Sequence, residues 1–413
     1  MFMNAIASPV KQVNRIVLLD GLRGLAIFGI LMVNLPIMFM PANAFMLGSQ
    51  SDGFTLNAIA EGLTKFFFEG KFYVIFSLLF GYGFWLFLNK KAEEGKSMVP
   101  VFRRRVLFLF LFGALHVVLL WAGDILSYYA VFGFLLLLFR RLSNRGLIKW
   151  AVWLAIIPMA IAGLSYLMVS LASLDPETAR SLDQQFAIGV KQMKNTISNF
   201  ASTYKYGSFS DIVSVRLAEY RMLLPGIFFF YPVVLSMILT GVWVARKNVI
   251  ARYDEHIPFF KKVFWWGLSV GILSNTLYAI SHWHSIPSVP DVWFIINSVT
   301  HTIGGISLGF FYISAMVLCY AKGKEWIVNL LAPVGRMALT NYLLHSIIAA
   351  VLFHSYGFGL FGQIELWQGV LIACTIFALQ IPFSAFWLKR FRFGPFEWLW
   401  RSLTYLRIQP FRA

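Results

Sequence analysis

The side chains able to do chemistry are polar residues set inside apolar runs. Asn34 follows Arg23 by 11 residues and His116 follows Arg105 by 11, which at the helical rise puts each about 16 Å from a basic boundary. His345 comes 10 residues after Gly335 and His301 comes 10 after Asp291, a depth of about 15 Å from their own boundaries. All four therefore share the level of a bilayer midplane. A neutral imidazole is the commonest general base, and Asn341, one turn before His345, faces the same side and is placed to orient it or bind substrate. The ordinary alternative is that these groups hydrogen-bond between helices and hold them together.

Two further sets lie at the boundaries. Gly123-Asp124-Ile125 joins two apolar runs by a tight turn, with Lys71 at the same level. An Asp124–Lys71 ion pair is one reading, and a role for Asp124 in orienting His116 or receiving substrate is the other. At the opposite boundary Arg23, Arg105 and Arg336, with Arg103 and Arg104, either form a basic mouth for phosphate groups or follow the general enrichment of Arg on the cytoplasmic side. Asp20 and Arg23, one turn apart, are expected to pair within their helix. His282 and His284 lack a third ligand in their neighbourhood, and no metal is expected.

Membrane-crossing helices must carry these groups. Of the 413 residues, 59% are hydrophobic and 13% charged, about half the charged fraction of a soluble domain, and the mean hydropathy is +0.71. That excludes a cytosolic enzyme, a secreted disulfide scaffold and a disordered chain. Cys319 and Cys374 lie inside apolar runs and imply no disulfide framework. The net charge of +17 comes from short clusters between those runs, the wrong arrangement for nucleic acid. Windows long enough to span hydrocarbon fall near 16–40, 71–89, 104–123, 124–140, 147–172, 222–245, 263–284, 292–320, 333–356 and 366–388. The expected fold is an all-α polytopic transmembrane helical bundle of about ten spans, one integral-membrane domain over 1–413.

With the N-terminus inside, the inner segments collect 27 of the 35 Lys and Arg but only 7 of the 18 acids. The outer segments keep 8 and 11, hence +20 against −3. Both termini are then cytoplasmic. Residues 173–221 become an extracytoplasmic insert of amphipathic helices, resting on the membrane, capping the bundle or gating it. Residues 389–413, where aromatic side chains alternate with Arg390, Arg392, Arg401 and Arg407, read as a cytoplasmic interfacial tail on the lipid bilayer.

Arg15-Ile-Val-Leu-Leu-Asp20-Gly-Leu-Arg23 through Asn34 resembles the opening signature of the YeiB-type membrane proteins, the domain of unknown function 418. Similar segments follow in order: Lys71 through Gly83, Gly113-Ala-Leu-His116 through Asp124, Tyr206-Gly-Ser208 leading to Arg216, Gly335-Arg-Met-Ala-Leu-Thr-Asn341, and Gly394 through Tyr405. The resemblance implies a multi-pass protein of the bacterial inner membrane. The opening helix is also similar, more distantly, to those of heparan α-glucosaminide N-acetyltransferases and cell-envelope O-acyltransferases. Asn34 stands near the place where the latter usually have His, and residues 41–70 contain no His. His116 is thus the preferred base.

The expected function is acyl transfer from cytoplasmic acyl-CoA, a co-substrate with no tightly bound cofactor, to the hydroxyl or amine of an extracytoplasmic small-molecule, glycan or lipid-linked acceptor. His116 takes the acceptor proton, Asp124 tunes it or holds the acceptor, and Asn34 or Asn341 meets the oxyanion. His345, His301 and Lys71 are candidates for binding substrate. The competing class is a transporter of a small solute, proton-coupled through His116 and Asp124.

Overall fold

The computed structural model describes residues 16–48, 53–89, 97–286 and 289–412. Lys11, Arg15 and residues 90–96 of the basic inner loop lie outside the described residues. The chain is an all-α polytopic membrane bundle, and the described residues contain no strand beyond one isolated bridge between Phe391 and Arg412.

Every expected apolar run is helical. They are α1 (Val17–Met38), α3 (Phe72–Asn89), α4 (Val99–Leu119), α5 (Leu126–Phe139), α6 (Asn144–Ala172), α9 (Ile227–Arg246), α10 (Ile257–His284), α11 (Val292–Ala321), a bent pair formed by α12 (Glu325–Arg336) and α13 (Ala338–Phe353), and α14 (Leu366–Arg390). The amphipathic α2 (Leu56–Phe67), which hydropathy did not separate from its surroundings, precedes α3. Among the described residues, seven stretches are long and apolar enough to cross a membrane, or eight if the bent pair counts as one span. The other two of the expected ten are α4, which opens with Arg103, Arg104 and Arg105, and α5, whose 14 residues reach only about 21 Å, short of a hydrocarbon core.

Packing follows the small residues. Helix α1 lies along α12, α3 and α6 both pack on α9, α4 packs on α5, and α10 pairs with α11. Where α3 meets α9, Gly81 faces the Ile238 carbonyl and Gly241 faces that of Leu78, each so close that a β-carbon would strike backbone. Van der Waals contact between bare backbones holds membrane helices where hydrophobicity offers nothing over lipid.

The 71° bend between α12 and α13 opens a helix start inside the bundle, and its orphan amides need acceptors. They are supplied by α15 (Pro395–Tyr405). Glu397 Oε1 accepts from the Leu339 and Thr340 amides at 2.6 and 3.0 Å, and Oε2 accepts from the Thr340 hydroxyl at 2.5 Å. The carboxylate also meets the positive end of the helix dipole, while burial pushes its pKa up. Helix α15, within the expected interfacial tail, packs against α4 and α13.

The insert forms α7 (Pro176–Tyr206) and α8 (Phe209–Leu223). Helix α7 buries only Tyr204 fully, with Phe200 and Ala201 partly buried against the core, whereas α8 is anchored by charged side chains. The fully buried Arg216 donates to the Val118 carbonyl at 3.1 Å, to His354 Nδ1 at 3.1 Å and to the Tyr356 hydroxyl at 2.7 Å. Glu219 accepts from the Ala42 amide at 2.7 Å and from the Tyr204 hydroxyl at 2.5 Å. Arg216 and Glu219 thus tie α8 to Val118, His354, Tyr356 and Ala42.

Two outcomes follow from these carboxylates. Burial raises the Glu219 pKa from its ordinary 4.5 to about 7 against the opposing pull of Tyr204, Ala42 and Arg216. Between those values the folded chain keeps a proton that the unfolded chain has released, so stability is highest below 4.5 and falls as pH rises through 7. Thermal unfolding in detergent should show that decline, and Glu219→Gln should flatten it; a variant with the wild-type slope would refute the assignment. Glu397→Ala should cost about 1–2 kcal/mol, the scale of a lost helix cap, measured as a lower Tm.

Candidate active site

The turn after α4 sets the geometry. Asp124 precedes α5 and closes its first turn: Oδ2 accepts from the Ser127 amide at 2.7 Å and its hydroxyl at 2.6 Å, and Oδ1 accepts from the Leu126 amide at 3.1 Å. A β-carbon on Gly113 would stand 2.7 Å from Asp124 Oδ2 and also meet the Ser127 amide, so the glycine of the Gly113-Ala-Leu-His116 segment lets the start of α5 lie against α4. One turn on from that glycine, His116 Nδ1 comes 3.1 Å from Asp124 Oδ1, an ion-pair distance at which the N–H direction falls short of a hydrogen bond. The other ring nitrogen, Nε2, is 2.8 Å from Ser346 Oγ on α13.

Asp124, His116 and Ser346 are 4%, 2% and 1% exposed, so the three-membered array is shielded from water. A carboxylate only accepts, so the proton between it and the imidazole is assigned to Nδ1, leaving the Nε2 lone pair for the Ser346 hydroxyl to donate into. Tyr342, one turn before Ser346, lays its ring 5.3 Å from the imidazole. Trp121 meets it edge-on at 6.5 Å. Arg216 binds the carbonyl of Val118, two residues beyond His116, which ties α8 to the end of α4.

The other candidates do not join this array. Helix α13 turns a different face toward α14, where His345 Nε2 lies 2.9 Å from Gln380 Oε1. Asn341 spends its amide on the Val334 carbonyl and Ser384 at 3.2 and 3.0 Å. Gln380 also donates to the Asn341 carbonyl at 3.2 Å, so one glutamine serves both residues. Asn34 is half-buried on α1 and makes no side-chain hydrogen bond among the described residues.

His301 and Lys71 belong to a second polar cluster, built from α2, α3, α10 and α11. Lys65 pairs with Glu69 at 2.7 Å, and the Tyr278 hydroxyl donates to Glu69 at 2.8 Å. The His301 ring lies 5.0 Å from that of Tyr278. Lys71, fully buried, donates to the Lys65 carbonyl at 2.6 Å. The Asp124–Lys71 pair is therefore not formed, because equal depth does not put two side chains on the same side of a bundle. The midplane histidines likewise have different partners: Ser346 for His116, Gln380 for His345 and the Tyr278 ring for His301. His282 pairs with Glu61 at 2.9 Å and His284 stacks on Trp293 at 4.6 Å.

At the inner end Arg23 pairs with Asp20 at 2.7 Å. Arg105 stacks on Trp400 with its guanidinium carbon 3.7 Å from the ring centre, within electrostatic reach of Arg23 and Arg401. The Trp400 indole returns a hydrogen bond to the Arg105 carbonyl at 2.8 Å. The Arg336 Nε is buried without a hydrogen bond, and that side chain has other contacts. Two cavities are apolar and border other residues: one of about 650 Å³ among Phe28, Met32, Leu63, Phe68 and Trp367, and one of about 200 Å³ among Leu78, Trp243, Phe260 and Phe310.

Sequence reasoning missed Ser346 and the anchoring roles of Arg216 and Glu219. Ser346 carries no local signal beyond following His345. Arg216 and Glu219 were visible only as charges inside a hydrophilic insert.

The description "Protein of unknown function (DUF418)" belongs to the family model that matches residues 244–407. The chain is 35% identical to uncharacterized protein YxaH of Bacillus subtilis (strain 168), covering 97% of each chain. It is 27% identical to uncharacterized protein YeiB of Escherichia coli (strain K12), over 94% of this chain and 96% of that one. No solved structure matches it. With a 35% identical relative covered over 97% of both chains and the family model matched, the chain belongs to the DUF418 family of YeiB-type membrane proteins.

Proposed function

We propose that this protein transfers an acyl group from acyl-CoA on the cytoplasmic side of the bacterial inner membrane to a hydroxyl or amine acceptor on the other side. The observation that carries the reading is the His116 imidazole held between the Asp124 carboxylate and a hydroxyl at 3.1 and 2.8 Å. A structural histidine between helices needs one partner. Here the carboxylate fixes the tautomer and favours the imidazolium that forms when Nε2 takes a proton, the arrangement of a general base.

Other features support the same direction. The positive-inside balance puts both termini, Arg23, Arg105 and Arg336 in the cytoplasm, where acyl-CoA presents its phosphates, and Arg401 adds a charge beside Arg105. Asp124 and the insert lie at the opposite boundary, where an acceptor arrives. Asn341 is withdrawn from the oxyanion role, since its amide already serves Val334 and Ser384. Asn34 keeps its amide available.

A transporter is the second reading, favoured by the Lys65, Glu69, Lys71, Tyr278 and His301 cluster, which acyl transfer does not use. Buried ionisable groups of both signs are what proton-coupled carriers require.

Purified protein given labelled acyl-CoA should release CoA, faster with an acceptor. His116→Ala should lower turnover by roughly 10²–10⁴-fold, and Asn34→Ala by roughly 10²–10³-fold. Undiminished turnover in His116→Ala would reject the general-base assignment. Lys71→Ala should leave CoA release unchanged; loss of solute uptake into sealed vesicles by that variant, with no CoA release by wild type, would favour transport.

A further inference from the structure

The geometry points to Ser346 as a nucleophile that carries the acyl group on its own hydroxyl, making the transfer a two-step reaction. This deepens the acyl-transfer reading and rests on it for the identity of the donor, an acyl thioester. The nucleophile itself rests only on the array of Asp124, His116 and Ser346.

A general base acting directly on an incoming acceptor should present its free nitrogen to the space the acceptor will occupy. Here Nε2 is already engaged by Ser346 Oγ at 2.8 Å, within the reach expected of a nucleophile and its base. Beyond the imidazole, Asp124 approaches Nδ1 at 3.1 Å and is itself immobilised by the Leu126 and Ser127 bonds. The order carboxylate, imidazole, hydroxyl is that of a serine triad, recognised by geometry rather than by chain order. A serine inside a membrane helix ordinarily bonds back to the carbonyl four residues earlier, as Ser165 does to Ile161 at 2.8 Å. Ser346 instead bonds across to α4. Beside it, the buried Tyr342 hydroxyl faces the Ile125 amide, which can only donate to it, and its own proton finds no acceptor among the described residues, so it is a donor available to the oxyanion from the face of α13 that carries Ser346.

In the first step Ser346 Oγ attacks the thioester carbonyl carbon while its proton passes to His116 Nε2. The C–S bond then breaks, and the departing thiolate takes that proton to leave as CoA thiol. In the second step the acceptor hydroxyl or amine attacks the serine ester and gives its proton to Nε2. The ester C–O bond breaks and Ser346 Oγ recovers a proton from the imidazolium. No redox partner is required.

The test uses the full-length protein in detergent with diisopropyl fluorophosphate, which is small and apolar, and in parallel with radiolabelled acetyl-CoA and palmitoyl-CoA quenched at short times. Peptide mapping should find the phosphoryl and acyl adducts on Ser346. Ser346→Ala should abolish both and lower CoA release by about 10³-fold or more, with an elution profile and Tm like the wild type. Ser346→Cys should trap the acyl group as a thioester cleaved by neutral hydroxylamine. Wild-type CoA release by Ser346→Ala would overturn the covalent step while leaving His116 as a direct base. Failure of both reagents to modify Ser346 in the wild type would overturn it as well. Phosphoryl labelling of Ser346, dependent on His116, without any consumption of acyl-CoA would uphold the nucleophile and remove acyl-CoA as its donor.

Discussion

A charge buried in a hydrocarbon slab must be neutralised by something the chain itself supplies, and Asp124 shows how this protein meets that constraint. Its carboxylate is not paired with a free cation. It accepts from two amides and a hydroxyl at the start of α5, where the helix dipole is positive, and only then faces His116. The carboxylate is thus fixed before any substrate arrives, and the imidazole inherits its orientation from a helix start.

The same device recurs with both signs. Glu397 serves the start of α13 and Asp291 the start of α11, where it accepts from the Phe294 amide at 2.7 Å. Helix ends, whose last carbonyls lack partners, are met by cations. Arg216 reaches Val118 at the end of α4, and Arg246 reaches the Arg140 and Leu142 carbonyls just past α5 at 2.9 and 2.6 Å. Arg104 reaches Thr404 near the end of α15 at 3.2 Å, and Lys71 reaches Lys65 in the last turn of α2. Short and broken helices such as α5 and α13 are tolerable because their ends are satisfied by side chains from elsewhere. A side chain that does this also fixes which helices are neighbours, so polar satisfaction and architecture are one problem here.

The positions of the helices were legible in the sequence and direction around the bundle was not. The apolar runs located the helices because hydropathy averages over a length that the bilayer dictates. Of the two readings left open for Asp124, Lys71 or His116, the structure shows the contact with His116, from which eight residues and a tight turn separate it, leaving the chain little freedom to place them apart. Lys71 and Asp124 were set at one level, yet no local link decides on which side of the bundle each falls, and they belong to different clusters. The bend at Met337 was hidden because Glu397, which satisfies the exposed amides, lies 58 residues from Leu339. Ser346 was hidden for a further reason: membrane serines are common and most bond locally, so its partner 230 residues away leaves no trace in its own neighbourhood.

The histidines differ in a way that composition cannot express. His345 has one partner, Gln380, itself tied to the backbone of Asn341, so that imidazole is part of the seam between α13 and α14. His301 lies among aromatic rings beside the Lys65–Glu69 ion pair. Only His116 has a carboxylate at one nitrogen and a hydroxyl at the other among the described residues. That distinction matters because gluing two helices needs a single hydrogen bond, whereas moving a proton needs a nitrogen that releases what it accepts and a neighbour that steadies the charge meanwhile. A carrier that hands protons from one side of a membrane to the other would need its histidine to change partners. His116 faces a carboxylate that is itself pinned to the start of α5, so a change of partner at Nδ1 would require that helix start to move, whereas exchange with the Ser346 hydroxyl at Nε2 would not.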